Sequence, residues 1–387
     1  MAAERAYLDY NASAPLLDAA RAAMVVALDV AANPSSVHSE GRMARRMIED
    51  ARRYVAALVN ARPEHVVFTS GATEAASTLL APDWKMGRSA VRLGHLYVCT
   101  ADHPCLLNGG RFAPEHVSRI GVGADGVIDL DALAAALTAH DKASGLPLVA
   151  VHAANNETGV IQPIEKIAQA VKVAGGILVL DAVQAAGRIP LDMSKFCADY
   201  LILSSHKIGG PKGIGALVAA GDLMMPSPLV SGGGQEKGHR GGTENLVGIA
   251  GFGAAASQAL AGLSDIGAVA EKRSQIETVV AQLVPDAEFF GGAAPRLANT
   301  TFFAIPGVKA ETAQIAFDLA GVALSAGSAC SSGKVGPSHV LKAMGYDESH
   351  GALRVSIGQA TSARDLELFR DALAGIAARR ANRDKAA

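Results

Sequence analysis

The feature that most constrains this fold is a series of short, continuous apolar runs set between Ala-rich stretches of helical texture. His65-Val-Val-Phe-Thr69, His95-Leu-Tyr-Val-Cys99, Pro147-Leu-Val-Ala-Val151, Ile177 to Leu180, Tyr200-Leu-Ile-Leu203 and Gly215-Ala-Leu-Val-Ala219 all have this character. Short apolar strands alternating with helices predict an α/β fold with a mostly parallel sheet buried on both faces. Ligands of such sheets bind at the carboxyl ends of the strands. Polar residues at those ends, Ser70 to Glu74, His103, Asp181 and Ser204 to Lys207, are therefore the first candidates for a site.

The texture changes near residue 255. A helical stretch is expected over Ala256 to Leu283, a strand over Asn299-Thr-Thr-Phe-Phe-Ala304 and a helix over Ala310 to Leu319. A loop from Ser325 to Pro337, the run Ala352-Leu-Arg-Val-Ser-Ile357 and a basic C-terminal helix complete the chain. The reading is a large domain over 15–255 and a smaller α+β domain over 256–387, with residues 1–14 packing near the latter. A chain of 387 residues has material for two such cores.

The 35 basic and 37 acidic residues nearly balance, so no footprint for nucleic acid or an anionic membrane is present. Residues 1–10 carry Glu4, Arg5 and Asp9 and do not read as a signal peptide. Cys99, Cys105, Cys197 and Cys330 have neither the spacing of a metal site nor that of a disulfide framework. The expectation is a cytoplasmic enzyme without a metal.

Lys207 follows a buried strand and opens the Gly-rich turn Ile-Gly-Gly-Pro-Lys-Gly213. A lysine in a desolvated cleft suits Schiff-base chemistry. Asp181 closes the preceding strand, where a carboxylate can hold a pyridine nitrogen protonated; taken alone it reads equally well as a helix cap. Ser70-Gly-Ala-Thr-Glu74 turns from strand to helix, a geometry that offers N–H groups to a phosphate. His103 follows the Cys99 strand and could stack on a planar ring. Cys330 lies in Ser325-Ala-Gly-Ser-Ala-Cys-Ser-Ser-Gly333, whose small polar residues predict an exposed loop.

Together these segments resemble the cysteine desulfurases of the NifS/IscS kind, class V enzymes of fold type I that use pyridoxal 5'-phosphate (PLP). The matching stretches are Asn33-Pro-Ser-Ser-Val-His38, Thr69-Ser-Gly-Ala-Thr-Glu74, Asn155-Asn-Glu-Thr-Gly159, Asp181-Ala-Val-Gln184, Ser204-Ser-His-Lys207, Gly232-Gly-Gly-Gln-Glu236, Gly242-Thr-Glu-Asn245 and the loop around Cys330. A cysteine after alanine in that loop is similar to the first group of these enzymes. The resemblance implies that Lys207 holds PLP, Asp181 pairs with its ring nitrogen, and His103 stacks on the ring and moves protons. It places Asn155 and Gln184 on the phenolic oxygen and Ala72, Thr73, Ser204 and His206 on the phosphate, with Thr243 reaching the phosphate of a partner subunit in a homodimer. Arg354, with Asn33 as a second position, would bind the substrate carboxylate. Cys330 would take the sulfur of L-cysteine as a persulfide, leaving L-alanine, and pass it to an acceptor such as an iron–sulfur scaffold protein. A selenocysteine or cysteine-sulfinate lyase is the alternative with the same cofactor, and a non-catalytic assembly subunit the alternative from another class.

Overall fold

The computed structural model describes residues 4–327, 338–347 and 351–386. Its centre is a nine-stranded sheet. In spatial order the strands are Met224–Pro226, Asp83–Met86, Ser89–Cys99, Leu146–His152, Ile177–Asp181, Tyr200–Ser204, Gly215–Ala219 and Val66–Thr69, with Val117–Ile120 also paired to Ser89–Cys99. Only Asp83–Met86 and Gly215–Ala219 run against the other seven, so the expected parallel centre is present. Alternate residues of each central strand enter different cores. Val149, Val151, Leu178 and Leu180 face one layer, and Leu148, Ala150, Ile177 and Val179 the other. This two-sided burial explains why these strands read as unbroken apolar runs rather than alternating ones.

Two helices near the N-terminus, Asp18–Leu28 and Ser39–Leu58, lie outside the elements anticipated from sequence. The second buries Ala44, Ile48, Ala51 and Val55 at helical spacing, and His38 caps its start by accepting from the Gly41 N–H. Its charged residues hide the pattern. One of them, Arg52, turns inward and forms a two-pronged pair with Glu236 at 2.7 and 2.8 Å, while Glu236 also accepts from the Phe68 N–H. Bidentate geometry and the extra hydrogen bond offset the cost of burying both charges.

The stretch expected to be one helix over 256–283 starts earlier and is broken. It consists of Leu246–Ala261, a tight turn over Gly262–Asp265, and Ile266–Leu283. Within the turn the Ser264 hydroxyl bonds back to the Ala261 carbonyl, a local bond that competes with helix continuation. By length and composition the run Leu246–Leu283 could cross a bilayer. Here its first half packs on the two N-terminal helices, and a side chain at Gly253 would strike Ala51.

A four-stranded sheet of Glu288–Phe289, Thr300–Ala304, Leu353–Ser356 and Ser325–Ala326 forms a separate layer. Helices Ile266–Leu283, Ala310–Leu319 and Ala363–Ala386 cover it with a core of their own. The N-terminal strand Ala6–Tyr7 pairs with Val322–Ala323, and Asp9 bridges to Ser356. From there the chain crosses to the large sheet. Asn11 sits at the crossing, bonded to Thr300, Asn299 and Ser356 on one side and to Asn156 and Gln184 on the other.

Candidate active site

The parallel strands end together at Cys99, His152, Asp181 and Ser204, and a cavity of about 480 Å³ opens there. Its walls carry His103, Asp181, Gln184, Ser204, His206 and Lys207, and at one end Ala72 and Thr73. Residues as far apart in the chain as Ala72 and Lys207 thus converge because their strands lie close together in the sheet.

Lys207 closes a single helical turn after the strand Tyr200–Ser204. Its Nζ donates to the Asn11 carbonyl at 2.7 Å and the Ala12 carbonyl at 2.9 Å. The N-terminal crossing segment therefore forms the wall that holds the lysine. Sequence reasoning gave that segment no such part, because carbonyl contacts leave no mark on residue type.

Asp181 is buried and accepts from the Val183 N–H at 3.0 Å. Burial pushes its carboxyl up to about 6, against the Val183 hydrogen bond; Asp102 adds to the rise while the Lys207 ammonium opposes it. A carboxylate kept from water in this way is short of a cationic partner.

His103 caps the short helix Pro104–Leu107, its Nδ1 accepting from the Cys105 N–H at 3.2 Å. Burial, with Lys207 and His339 assisting, lowers it to about 4, so the ring is neutral near pH 7. With Nδ1 accepting, the ring proton sits on Nε2. His206 is likewise lowered to about 4, by burial first and then by Lys207 and Lys212.

At the other end, the helix Ala72–Leu79 begins at Gly71 with no side chain capping its N–H groups. A carbon on Gly215 would lie 2.8 Å from the Gly71 backbone, so the facing strand presses closely on this turn. Ser204, His206 and Lys212 share the cavity with it. Open helix N–H groups, a hydroxyl and a lysine form a donor set for a phosphate. Lys212 is a functional candidate passed over in the sequence; its place in the Gly-rich turn after Lys207 was the available signal.

Four expected residues do not line this cavity. Asn155 is committed locally: its Nδ2 donates to the Ala101 carbonyl, and its Oδ1 accepts from the N–H groups of Glu157 and Thr158. The neighbouring Asn156 lines the wall instead. Arg354 is buried behind Asn156, whose carbonyl it binds at 2.9 Å, and pairs with Asp9 at 2.8 Å, leaving its Nε without a partner among the described residues. Asn33 is exposed, and its Oδ1 accepts from the Ser35 N–H. Thr243 is exposed beside an adjoining cavity that shares Ser70, Gly213 and Ile214 with the first. Cys330 lies outside the described residues. Among the described cysteines only Cys105 reaches the cavity, and burial, reinforced by Asp181 and Asp102, holds it firmly as the thiol.

The donor set fits PLP. A buried carboxylate that forms no ion pair among the described residues, a lysine, a neutral imidazole and a phosphate cradle face one space large enough for the ring. A lysine at the end of one parallel strand and an aspartate at the end of its neighbour give a cofactor of this kind both an amine and a counter-charge. The chain belongs to the class-V aminotransferase family, whose model matches residues 6–369.

Within that family it is similar to cysteine desulfurases. It is 38% identical to a cysteine desulfurase of Cereibacter sphaeroides, over 96% of each chain. It is 35% identical to an IscS-like cysteine desulfurase of Mycobacterium tuberculosis, over 97% of this chain and 96% of that one. Among solved structures it superposes on a NifS-like protein from Rickettsia africae with a TM-score of 0.85 at 30% identity, covering 96% of this chain and 99% of the other.

Proposed function

We propose that this chain takes the sulfur from L-cysteine with PLP as cofactor, releasing L-alanine and loading the sulfur on Cys330 as a persulfide. The observation that carries the reading is the convergence of Lys207 and Asp181 on one cavity beside a phosphate cradle. A solved relative, described as SspA in complex with cysteine, aligns over 91% of this chain at 28% identity and supports the substrate.

Bound PLP supplies a protonated ring that stores the electron pair left when the substrate loses its α-proton. The residues of this chain do the rest. Asp181 holds the ring nitrogen protonated, and the start of the helix Ala72–Leu79 with Ser204, His206 and Lys212 anchors the phosphate. Lys207 Nζ leaves the Asn11 and Ala12 carbonyls to engage the cofactor. Its Nζ would also be the base that takes the substrate's α-proton. His103, which lines the cavity with Nδ1 already accepting from the Cys105 N–H, would hold the ring on one face and offer its Nε2–H as a proton donor. For Arg354 to clamp the substrate carboxylate, it must exchange Asp9 for the new anion; its unpartnered Nε is available for this. The Cys330 thiolate, the nucleophilic form, would attack the substrate sulfur; the Cβ–S bond breaks, its electron pair stays on the carbon skeleton, and protonation there gives alanine. The assembly is a homodimer in which Thr243 reaches the partner's phosphate site, and the acceptor is a protein such as an iron–sulfur scaffold. The compartment is the cytoplasm.

The direct test supplies the holoenzyme with L-cysteine and measures L-alanine and persulfide. Equal early yields of the two are expected, and a protein that yields no alanine would overturn the reading. A comparison of cysteine with selenocysteine and cysteine sulfinate separates the lyase alternative, which does not need Cys330.

The raised Asp181 carboxyl adds a pH dependence. PLP binding needs this group ionised, so binding draws its pKa down from about 6. PLP affinity should therefore be full above pH 6 and weaken as the pH falls through it, by up to about tenfold per pH unit. Titrating apoprotein with PLP at several pH values checks this. Asp181→Asn should bind weakly throughout and lose that slope, which distinguishes Asp181 from titration of PLP itself.

A further inference from the structure

Behind Asp181 lies a buried chain of polar groups that the reaction as described leaves unused. Asp102, fully buried beside His103, accepts at Oδ2 from the Cys99 N–H at 2.7 Å. Its Oδ1 accepts from the backbone N–H of His152 at 2.9 Å and contacts His152 Nδ1 at 2.5 Å. The other ring nitrogen of His152, Nε2, lies 3.0 Å from Gln162 Nε2. His152 stands beside Asp181 in strand register, and both line the cavity.

The proton positions follow from backbone groups whose roles cannot change. Gln162 Oε1 sits 2.9 Å from the Ile128 N–H, so it is the acceptor. Gln162 Nε2 sits 2.9 Å from the Gly126 carbonyl, so it is the amide nitrogen and a donor. His152 Nε2 faces that donor and must accept. The single proton of the ring is then on Nδ1, and Asp102 must be the carboxylate that receives it. Cys99, Asp102 and His152 lie close enough to resemble a metal-binding triad. Both ring nitrogens, however, are already used.

We propose that Gln162 and Asp102 lock His152 as the neutral Nδ1–H imidazole, making it a positioning residue that denies Asp181 a competing cation. A protonated imidazole in this place would pair with Asp181 and take from the cofactor the counter-charge its ring nitrogen requires. The amide of Gln162 prevents this by presenting an N–H where an imidazolium would need an acceptor. The inference rests on the reading of Asp181 as the partner of PLP.

Two substitutions at one position test it. Gln162→Glu places an acceptor against His152 Nε2, whereas Gln162→Met removes the amide without supplying one. In holoenzyme labelled with 15N-histidine, with His152→Asn for assignment, the wild-type His152 should be the neutral Nδ1–H form at neutral pH. In Gln162→Glu both ring nitrogens should be protonated, and PLP should bind about tenfold more weakly than in Gln162→Met. A wild-type His152 that carries its proton on Nε2, or on both nitrogens, overturns the lock even if the variants do not fold. Equal PLP affinity in the two variants, with His152 charged in only one, overturns its bearing on Asp181. A wild-type protein that takes up no PLP instead refutes the cofactor reading, and the tautomer in that protein still decides the lock.

Discussion

Replacing Lys207 with alanine is expected to abolish covalent attachment of PLP and to lower alanine formation from L-cysteine by about 10²–10⁴-fold, the range carried by general acid–base groups. The yellow colour of the attached cofactor should be lost, and borohydride treatment followed by peptide mass spectrometry should no longer find PLP fixed to the peptide containing residue 207. No other described lysine on the cavity wall can substitute: Lys212 stands with the phosphate-binding groups. The variant also leaves the Asn11 and Ala12 carbonyls without the Nζ donor. Apoprotein stability should fall by about 1–3 kcal/mol, measurable by urea unfolding. Retained activity together with a reducible cofactor linkage would sink the assignment.

Cys330→Ser is expected to keep PLP and still bind cysteine, while sulfur release falls by at least about 100-fold, as removal of a nucleophile does. Cys105→Ser should change the rate within about threefold, under about 1 kcal/mol of barrier. The contrast follows from the environment of Cys105, which lines the cavity but is held as the thiol by burial and by Asp181 and Asp102. Cys99 is also buried, and its thiol is pushed up by burial first and then by Asp102. After a pulse of cysteine, mass spectrometry should find the added sulfur on the peptide containing Cys330. Sulfur on Cys105, with turnover intact in Cys330→Ser, would refute the transfer route.

Much of the scaffold was legible because its signals are local. The six apolar runs are strands within a residue or two of their expected ends, except that the His95 run extends back to Ser89. The helix Ala310–Leu319 stands where its spacing put it. Elements whose burial depends on distant partners were not legible. The helix Ser39–Leu58 is charged over much of its length, and only packing against Leu246–Ala261 shows which face is core. Asp83–Met86 and Met224–Pro226 are short strands joined to the sheet edge by pairing that no local pattern announces.

The site divides in the same way. By itself the sequence determined which chemistry-bearing residues stand at strand ends, because a buried strand gives way to a polar loop at a composition boundary. That places Asp181, His103 and Lys207 at the mouth of the sheet, and the Gly-Ala-Thr turn at a helix start. Tertiary structure alone decided what those side chains meet. It turned Asn155 inward and brought Asn156 to the wall, set Arg354 against Asp9, and bound Lys207 to the carbonyls of Asn11 and Ala12. It also fixed the proton on His152 through Gln162, whose orientation comes from the carbonyl of Gly126 and the N–H of Ile128. Hydrogen-bond direction depends on the backbone groups that the fold brings alongside, and every residue type carries the same backbone groups.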